Sequence, residues 1–435
     1  MTHGFRGGVH PAGGKELTSG CAVKPLPAPE LVTIPVSMHV GAPCAPLVAV
    51  GDRVCMGQLI ADTDAPLSAP IHSSVSGTVK KIEPMLHPNG THVMTIVIEN
   101  DGLDTPADTI KPHADEVAAD PAKLVDIMHD AGIVGAGGAA FPAFFKLQGA
   151  MGKADTVIIN ASECEPFITA DHRLLLEDGE HVVAGAKLLR DALGLDKVYI
   201  GTEANKKDAI KRLREIIADD PGVELKVFRT RYPQGAEKQL IRSVTGREVP
   251  PGGLPADVGC AVFNSYTAWG VWHAVESGVP AIDRIVTVSG PGVKEPGNFR
   301  VRVGTPIRAL LDAAGGIKDG YFKVVMGGPM MGNAVFDVDV PVLKATGSVL
   351  ALGDSPSAKN PTCIRCGRCV GVCPMHLSPL YLYMYERKSD LDMLTKLNVR
   401  DCMECGSCAY ICPGRLPLVQ SIRSAKQKLN AAGRK

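Results

Sequence analysis

Eight of the thirteen cysteines stand in two short runs, CIRCGRCVGVCP from Cys363 and CMECGSCAYICP from Cys402, the second thirty-nine residues after the first. Each run reads C-x2-C-x2-C-x3-C-P: Cys363, Cys366, Cys369 and Cys373 before Pro374, then Cys402, Cys405, Cys408 and Cys412 before Pro413. The N-terminal MTHGFRGGVHP lacks the apolar core of an export signal, so the chain is expected in a reducing compartment. There, clustered cysteines mean metal more often than disulfides. Structural zinc is the plainer metal reading, but zinc sites pair C-x2-C units across a longer gap. Thiolates at this tighter spacing are expected to hold iron–sulfur clusters.

The runs resemble those of bacterial two-cluster ferredoxins, in which three cysteines wrap one cubane and the fourth reaches the other cluster. The resemblance implies that Cys363, Cys366, Cys369 and Cys412 hold one [4Fe–4S] cluster, and that Cys402, Cys405, Cys408 and Cys373 hold the second. Pro374 and Pro413 would turn the chain after each fourth ligand. Between the runs, LYLYMYERKSDLDMLTKL has helical apolar spacing, and Tyr381, Tyr383 and Tyr385 are read as packing. The remaining cysteines, Cys21, Cys44, Cys55, Cys164 and Cys260, are scattered and expected to be buried thiols. Iron–sulfur clusters pass one electron at a time, so a source of electrons is sought upstream.

Residues 131–147 read AGIVGAGGAAFPAFFKL, where small residues let backbone N–H groups approach an anion or a flat ring. The loop lacks the strict dinucleotide-binding spacing and the Walker lysine, so by itself it is also a plain tight turn. Next comes DTVIINASECEPFITADHRLLLEDG: a strand-like TVIIN, a polar turn with Glu163 and Glu165, and a helical stretch. YPQGAEKQLI and VFNSYTAWGVWHAV follow at residues 232–241 and 262–275. In these four blocks the chain resembles the flavin- and NADH-binding subunit of respiratory complex I and, more closely, the RnfC family of the Rnf electron-transport complex.

The resemblance implies a site for flavin mononucleotide (FMN) built from Gly135, Gly137, Gly138, Lys146, Asn160, Asn264 and Thr267. It also implies an NADH platform from Phe141, Glu163, Glu165, Gly235 and Glu237. Donors for the phosphate, polar contacts for the ribityl chain, and a ring with carboxylates for NADH are what those ligands need. Five positions depart from the complex I pattern: Ala136 replaces an arginine, Ala140 a glycine, Ala143 a threonine, Ser162 an acid and Ala236 a glutamate. The methyl of Ala140 is expected to crowd the flavin, and Ser162 and Ala236 remove two carboxylates.

A chain of 435 residues suggests three or four units at roughly 100–200 residues each. The expected class is multidomain α/β. Residues 1–30 are an N-terminal segment. Residues 31–105 resemble the barrel-sandwich hybrid of biotinyl and lipoyl carriers, although DTDAPLSAP carries no lysine and so no swinging arm. Residues 106–283 are the expected FMN/NADH domain, and 284–352 resemble the β-grasp (SLBB) domain, with a helix from about Pro306 closed by Gly315 and Gly316. MGGPMMG at 326–332 is read as a turn at an interface. Residues 353–416 are the ferredoxin-like unit, and 417–435 an amphipathic basic helix and tail with Arg423, Lys426, Lys428, Arg434 and Lys435.

With 46 basic and 46 acidic residues and no charge blocks, nothing points to nucleic acid. The longest uncharged run, residues 31–51, is broken by Pro35, Pro43 and Pro46, so no transmembrane helix is expected. The resemblance implies a peripheral subunit at the cytoplasmic face of the membrane, oxidising NADH and passing electrons through two clusters. Its partners would be an iron–sulfur subunit and membrane subunits that translocate ions, with ferredoxin reached indirectly. A second reading is a soluble electron-transfer protein for a cytosolic reductase such as proline reductase. A third keeps the two-cluster relay and makes the nucleotide pocket vestigial.

Overall fold

The computed structural model describes residues 4–353 and 361–433. Arg434 and Lys435 of the basic tail, the first three residues, and residues 354–360 ahead of the cysteine runs lie outside them.

Apolar alternation in LVTIP and HVMTIVIEN produces the first sheet. Leu31–Pro35 pairs antiparallel with His92–Asn100, which pairs with Gly77–Leu86, which in turn pairs with Arg53–Val54. A second sheet of Ala45–Pro46, Leu59–Asp62 and Ile71–His72 closes over it. Val32, Ile34, Ile60, Ile71, Ile96 and Ile98 fill the space between them. The tip where a carrier would hold its lysine is pinned: Ser68 is buried, with its hydroxyl 3.0 Å from His39 Nε2.

Four parallel strands follow, in the order Val223–Phe228, Val198–Glu203, Thr156–Ala161 and Cys260–Asn264. Parallel pairing requires crossover helices, and helices on both faces explain why TVIINA reads as an almost unbroken apolar run. On one face lie Gly179–Ala192 and Ser265–Ser277; a Cβ at Gly185 would stand 1.8 Å from the Ala268 carbonyl oxygen, so only glycine lets these helices touch. On the other, Glu237–Thr245 sets Leu240 and Ile241 against Ile158 and Phe228.

The next sheet has six strands, ordered Val23–Pro25, Gly297–Arg302, Asp283–Ser289, Ser348–Leu352, Lys323–Met326 and Asn333–Val335. Its first strand comes from the N-terminal segment, which is therefore woven into this unit. The helix Ile307–Ala313 packs Ile307, Leu310 and Leu311 into the core, and Gly315 and Gly316 end it with φ of 74° and 85°.

The cysteine-rich unit is a structural repeat. Positive φ recurs thirty-nine residues apart at Arg365 and Glu404 (56° and 59°), Gly367 and Gly406 (72° and 77°), and His376 and Arg415 (55° and 49°). Short helices Arg368–Gly371 and Ser407–Tyr410 follow the equivalent turns. The segment between the runs forms two helices, Pro379–Arg387 and Leu391–Lys396, broken where Ser389 turns left-handed at φ 51°. The final helix, Leu418–Ala431, is part of this unit: Ile422, Ala425 and Leu429 are buried among Leu382, Leu394 and Val399. Its basic side chains are taken up internally, Arg423 and Lys426 by Glu404 and Lys428 by Glu386. Among the described residues no helix is long and apolar enough to cross a membrane.

Candidate functional site

Asn160 and Asn264 end neighbouring parallel strands and stand opposite each other in register. The carboxyl ends of such strands are where α/β sheets place their ligands. Asn160 Nδ2 donates to the Gly235 carbonyl at 2.8 Å, which ties the strand end to the turn before Glu237. Asn264 caps the helix Ser265–Ser277 by accepting from Tyr266 N, and its Nδ2 donates to Asp171 at 2.7 Å.

The glycine-rich loop closes over these strand ends. Gly135 N donates to the Phe141 carbonyl at 2.8 Å, and Ala136 N donates to Thr267 Oγ1 at 3.0 Å. From behind, Arg284, 2% exposed, donates to the Ala136 carbonyl at 2.9 Å. Between these anchors Gly137, Gly138 and Ala139 are exposed, and their N–H groups have no acceptor among the described residues. A Cβ at Gly138 would meet nothing and one at Gly137 only Asn264 Cβ at 3.9 Å, so the space above the loop is open. Ala140 takes φ 52°, and its carbonyl accepts from Val40 N of the barrel-sandwich unit at 3.0 Å. The loop is thus held by a neighbouring unit despite its strained alanine.

Lys146 and Glu237 meet at 2.6 Å, and Lys146 Nζ also donates to the Val262 carbonyl at 2.9 Å. Phe141 is half-buried and meets Phe145 edge-on, with centroids 6.0 Å apart. Unpaired loop donors, a lysine, two strand-end amides and an aromatic wall fit a phosphate-bearing flavin.

Glu163 and Glu165 stand in the turn that follows the strand Thr156–Ala161. Neither carboxylate joins the group at the loop, because each is taken up inside the protein. Glu163 adopts φ 43° and accepts from Asp171 N at 2.6 Å. Lys15, from the N-terminal segment, donates to the Glu163, Glu165 and Ile168 carbonyls and lies 3.7 Å from the Glu163 carboxylate. Burial, only partly opposed by Lys15, pushes the Glu163 carboxyl up to about 7. Lys206 closes the turn from below by donating to the Ser162 carbonyl, and burial lowers its pKa.

Glu165 points toward the seam between units. It accepts from Met330 N at 3.1 Å and lies 3.3 Å from the Tyr232 hydroxyl, which donates to the Cys405 carbonyl at 2.7 Å. Burial raises its pKa to about 7 as well. A Cβ at Gly328 would overlap the Glu165 carboxylate at 2.0 Å, so the MGGPMMG segment is an interface turn, as expected. Lys15, Lys206 and Arg284 were not legible as site residues, because each reaches the site from a distant segment and none stands in a recognisable spacing. Tyr232 opens the block YPQGAEKQLI, but its contact with the cysteine-rich unit carries no sequence signal.

The cysteines fall into two groups. Cys363, Cys366, Cys369 and Cys412 line one open cavity, walled by Ile364 and Leu380. Cys402, Cys405, Cys408 and Cys373 form the other: burial raises the pKa of Cys402 to about 11 and raises Cys408, and the neighbouring thiols of the group add to both. Each group thus takes three cysteines from one run and one from the other, the crossed grouping of two-cluster ferredoxins. Among the described residues no set of three ligands is close enough to hold a single metal ion, whereas a cubane spreads its thiolates over four irons. Of the scattered thiols Cys44 and Cys260 are buried, but Cys21, Cys55 and Cys164 are only half-buried.

Family models match in chain order: an RnfC barrel-sandwich hybrid domain over residues 3–103, a Nuo51 FMN-binding domain over 128–273, an SLBB domain over 285–334 and a 4Fe-4S dicluster domain over 355–413. The C subunit of the Na(+)-translocating ferredoxin:NAD(+) oxidoreductase complex of Acetobacterium woodii is 45% identical, covering 100% of this chain and 99% of its own. The chain belongs to the RnfC family. A second RnfC-type relative, the C subunit of the proton-translocating ferredoxin:NAD(+) oxidoreductase complex of Clostridium ljungdahlii, is 44% identical over 100% of this chain and 95% of its own. The C subunit of the ion-translocating oxidoreductase complex of Rhodobacter capsulatus is 43% identical over 98% and 83%. Among solved structures, NAD+-reducing [NiFe]-hydrogenase in the air-oxidized state is similar in fold, with a TM-score of 0.52 at 21% identity, covering 74% of this chain and 65% of that one.

Proposed function

We propose that this chain is the peripheral, NADH-oxidising electron-transport subunit of an Rnf-type translocase, bound at the cytoplasmic face of the membrane to an iron–sulfur subunit and membrane subunits. FMN held at the glycine-rich loop would supply a hydride acceptor that can release electrons singly, and the clusters would supply one-electron transfer. The N–H groups of Gly137 and Gly138 with Lys146 would hold the phosphate, and Asn160, Asn264 and Thr267 would fix the strand ends and loop around the flavin. Gly135 shapes the turn, Phe141 walls the opening, and Gly235 brings Glu237 to the helix start facing it. Glu163 and Glu165 act as positioning residues, one bracing the acidic turn and the other bracing the seam. Cys363, Cys366, Cys369 and Cys412 hold one [4Fe–4S] cluster, and Cys402, Cys405, Cys408 and Cys373 hold the second.

One observation carries the reading. The Tyr232 hydroxyl lies between Glu165, in the acidic turn of the flavin-type domain, and the carbonyl of Cys405, so the second cysteine group abuts that domain. Further bonds across the seam join Gln239 Nε2 to the Pro374 carbonyl at 3.1 Å and Gly8 N to the Val372 carbonyl at 2.8 Å. Relatives named for sodium and for protons are almost equally similar to this chain. Ion selection therefore belongs to other subunits, and transfer between NAD and ferredoxin runs in either direction as potentials dictate. Anaerobic purification followed by flavin, iron and sulfide analysis and addition of NADH tests the reading. The expected result is flavin with about eight irons per chain and bleaching of both bands. Iron without flavin, and no response to NADH, would leave only a two-cluster relay.

A further inference from the structure

The two cysteine loops have the same backbone and opposite surroundings. In the second, Glu404 is ion-paired with Arg423 and Lys426, Cys405 is buried, and a Cβ on Gly406 would press the Met330 carbonyl at 2.8 Å. In the first, the equivalent positions are Arg365 and Cys366, and both are exposed. Arg368 is exposed too, and among the described residues neither arginine is paired with a carboxylate. Ile364, Val370 and Tyr410 add apolar surface there, 66%, 37% and 51% exposed.

Residues 361–380 contain no aspartate or glutamate, and neither do residues 407–420. The chain as a whole is neutral, so this basic field is local. A small apolar centre with a charged rim is the form of a transient electron-transfer contact, in which complementary charge sets orientation and on-rate.

We propose that the rim of the first cysteine loop is the docking face for an acidic iron–sulfur electron-transfer protein, met by Arg365 and Arg368 around Ile364 and Tyr410. The proposal rests on the reading that electrons leave the chain through the first cysteine group. The inner group is sealed against the flavin-type domain, so an acceptor reaches only the outer one.

The test is binding of the intact, cluster-loaded chain to two immobilised probes, an acidic plant-type [2Fe–2S] ferredoxin and a basic c-type cytochrome, at low and raised salt. The acidic probe is expected to bind more tightly, with affinity falling as salt rises. The pair Arg365→Glu and Arg368→Glu is expected to weaken it about tenfold or more at low salt. The neutralising pair Arg365→Gln and Arg368→Gln is expected to give a smaller loss, with iron content confirming that both variants carry clusters. Equal binding of the two probes, or an affinity untouched by either pair, would overturn the proposal. No electron transfer is needed for this readout, so a chain that binds the acidic probe yet fails to bleach with NADH separates a wrong electron source from a wrong docking face.

Discussion

Glu163 ties the acidic turn to the helix Ala170–Glu177 by accepting from Asp171 N. Its carboxylate is buried beneath the acidic turn, where burial outweighs the attraction of Lys15 at 3.7 Å, and its pKa stands near 7 against an ordinary 4.5. The folded state therefore holds a proton that the unfolded chain releases. The stability this contributes is complete below about pH 4.5 and is lost as the pH rises through 7. Glu163→Gln should flatten that decline, so the gap in unfolding temperature between variant and parent should widen from pH 5 to pH 7.5. A gap independent of pH would mean that the carboxylate is ionised in place. At the mouth of the pocket, Lys146→Met removes a charge-assisted donor and should weaken FMN by about tenfold or more, measured by quenching of flavin fluorescence, with iron content unchanged. Lys146, Glu237 and the two asparagines were legible because each sits in a short block with its own pattern. Lys15 and Arg284 were not, and neither was the bond from Tyr232 to the Cys405 carbonyl, since these arise only when segments far apart in sequence pack together.

Strands and helices were the more readable level. TVIIN became a buried parallel strand because both of its faces are covered, and the helix after Pro306 ended at its glycine pair as the sequence suggested. The helix between the cysteine runs split in two because a left-handed turn at Ser389 was invisible in the apolar spacing. The last helix looked like a free basic face, yet Glu386 and Glu404, from two other segments, take up its charges. The proposed crossed ligation belongs to this scale too, because Cys412, after the second short helix, lines the cavity of the first run's cysteines. Cys412→Ser should alter the electron paramagnetic resonance signal of the cluster held by the first run and leave the other in place. Loss confined to the second run's cluster would refute the crossing.

Across the whole molecule, the seams carry the account. The barrel-sandwich unit holds the flavin loop through Val40, and Lys344 joins that unit to the flavin-type domain by donating to the Pro70 and Gly132 carbonyls at 2.6 and 2.7 Å. Burial drives the Lys344 pKa down to about 7, so the lysine serves as a donor at a dry junction. Tyr232 and Met330 then join the acidic turn to the inner cysteine group, and the outer group faces away from that seam. The most direct test mixes NADH with the anaerobic, cofactor-loaded chain and follows both clusters by rapid-freeze electron paramagnetic resonance, in the parent and in Cys405→Ser. The inner cluster should be reduced first in the parent. In the variant the outer cluster should remain oxidised with NADH yet still be reduced by dithionite. An outer cluster that NADH reduces at the parent's rate without the inner one would contradict the order of transfer.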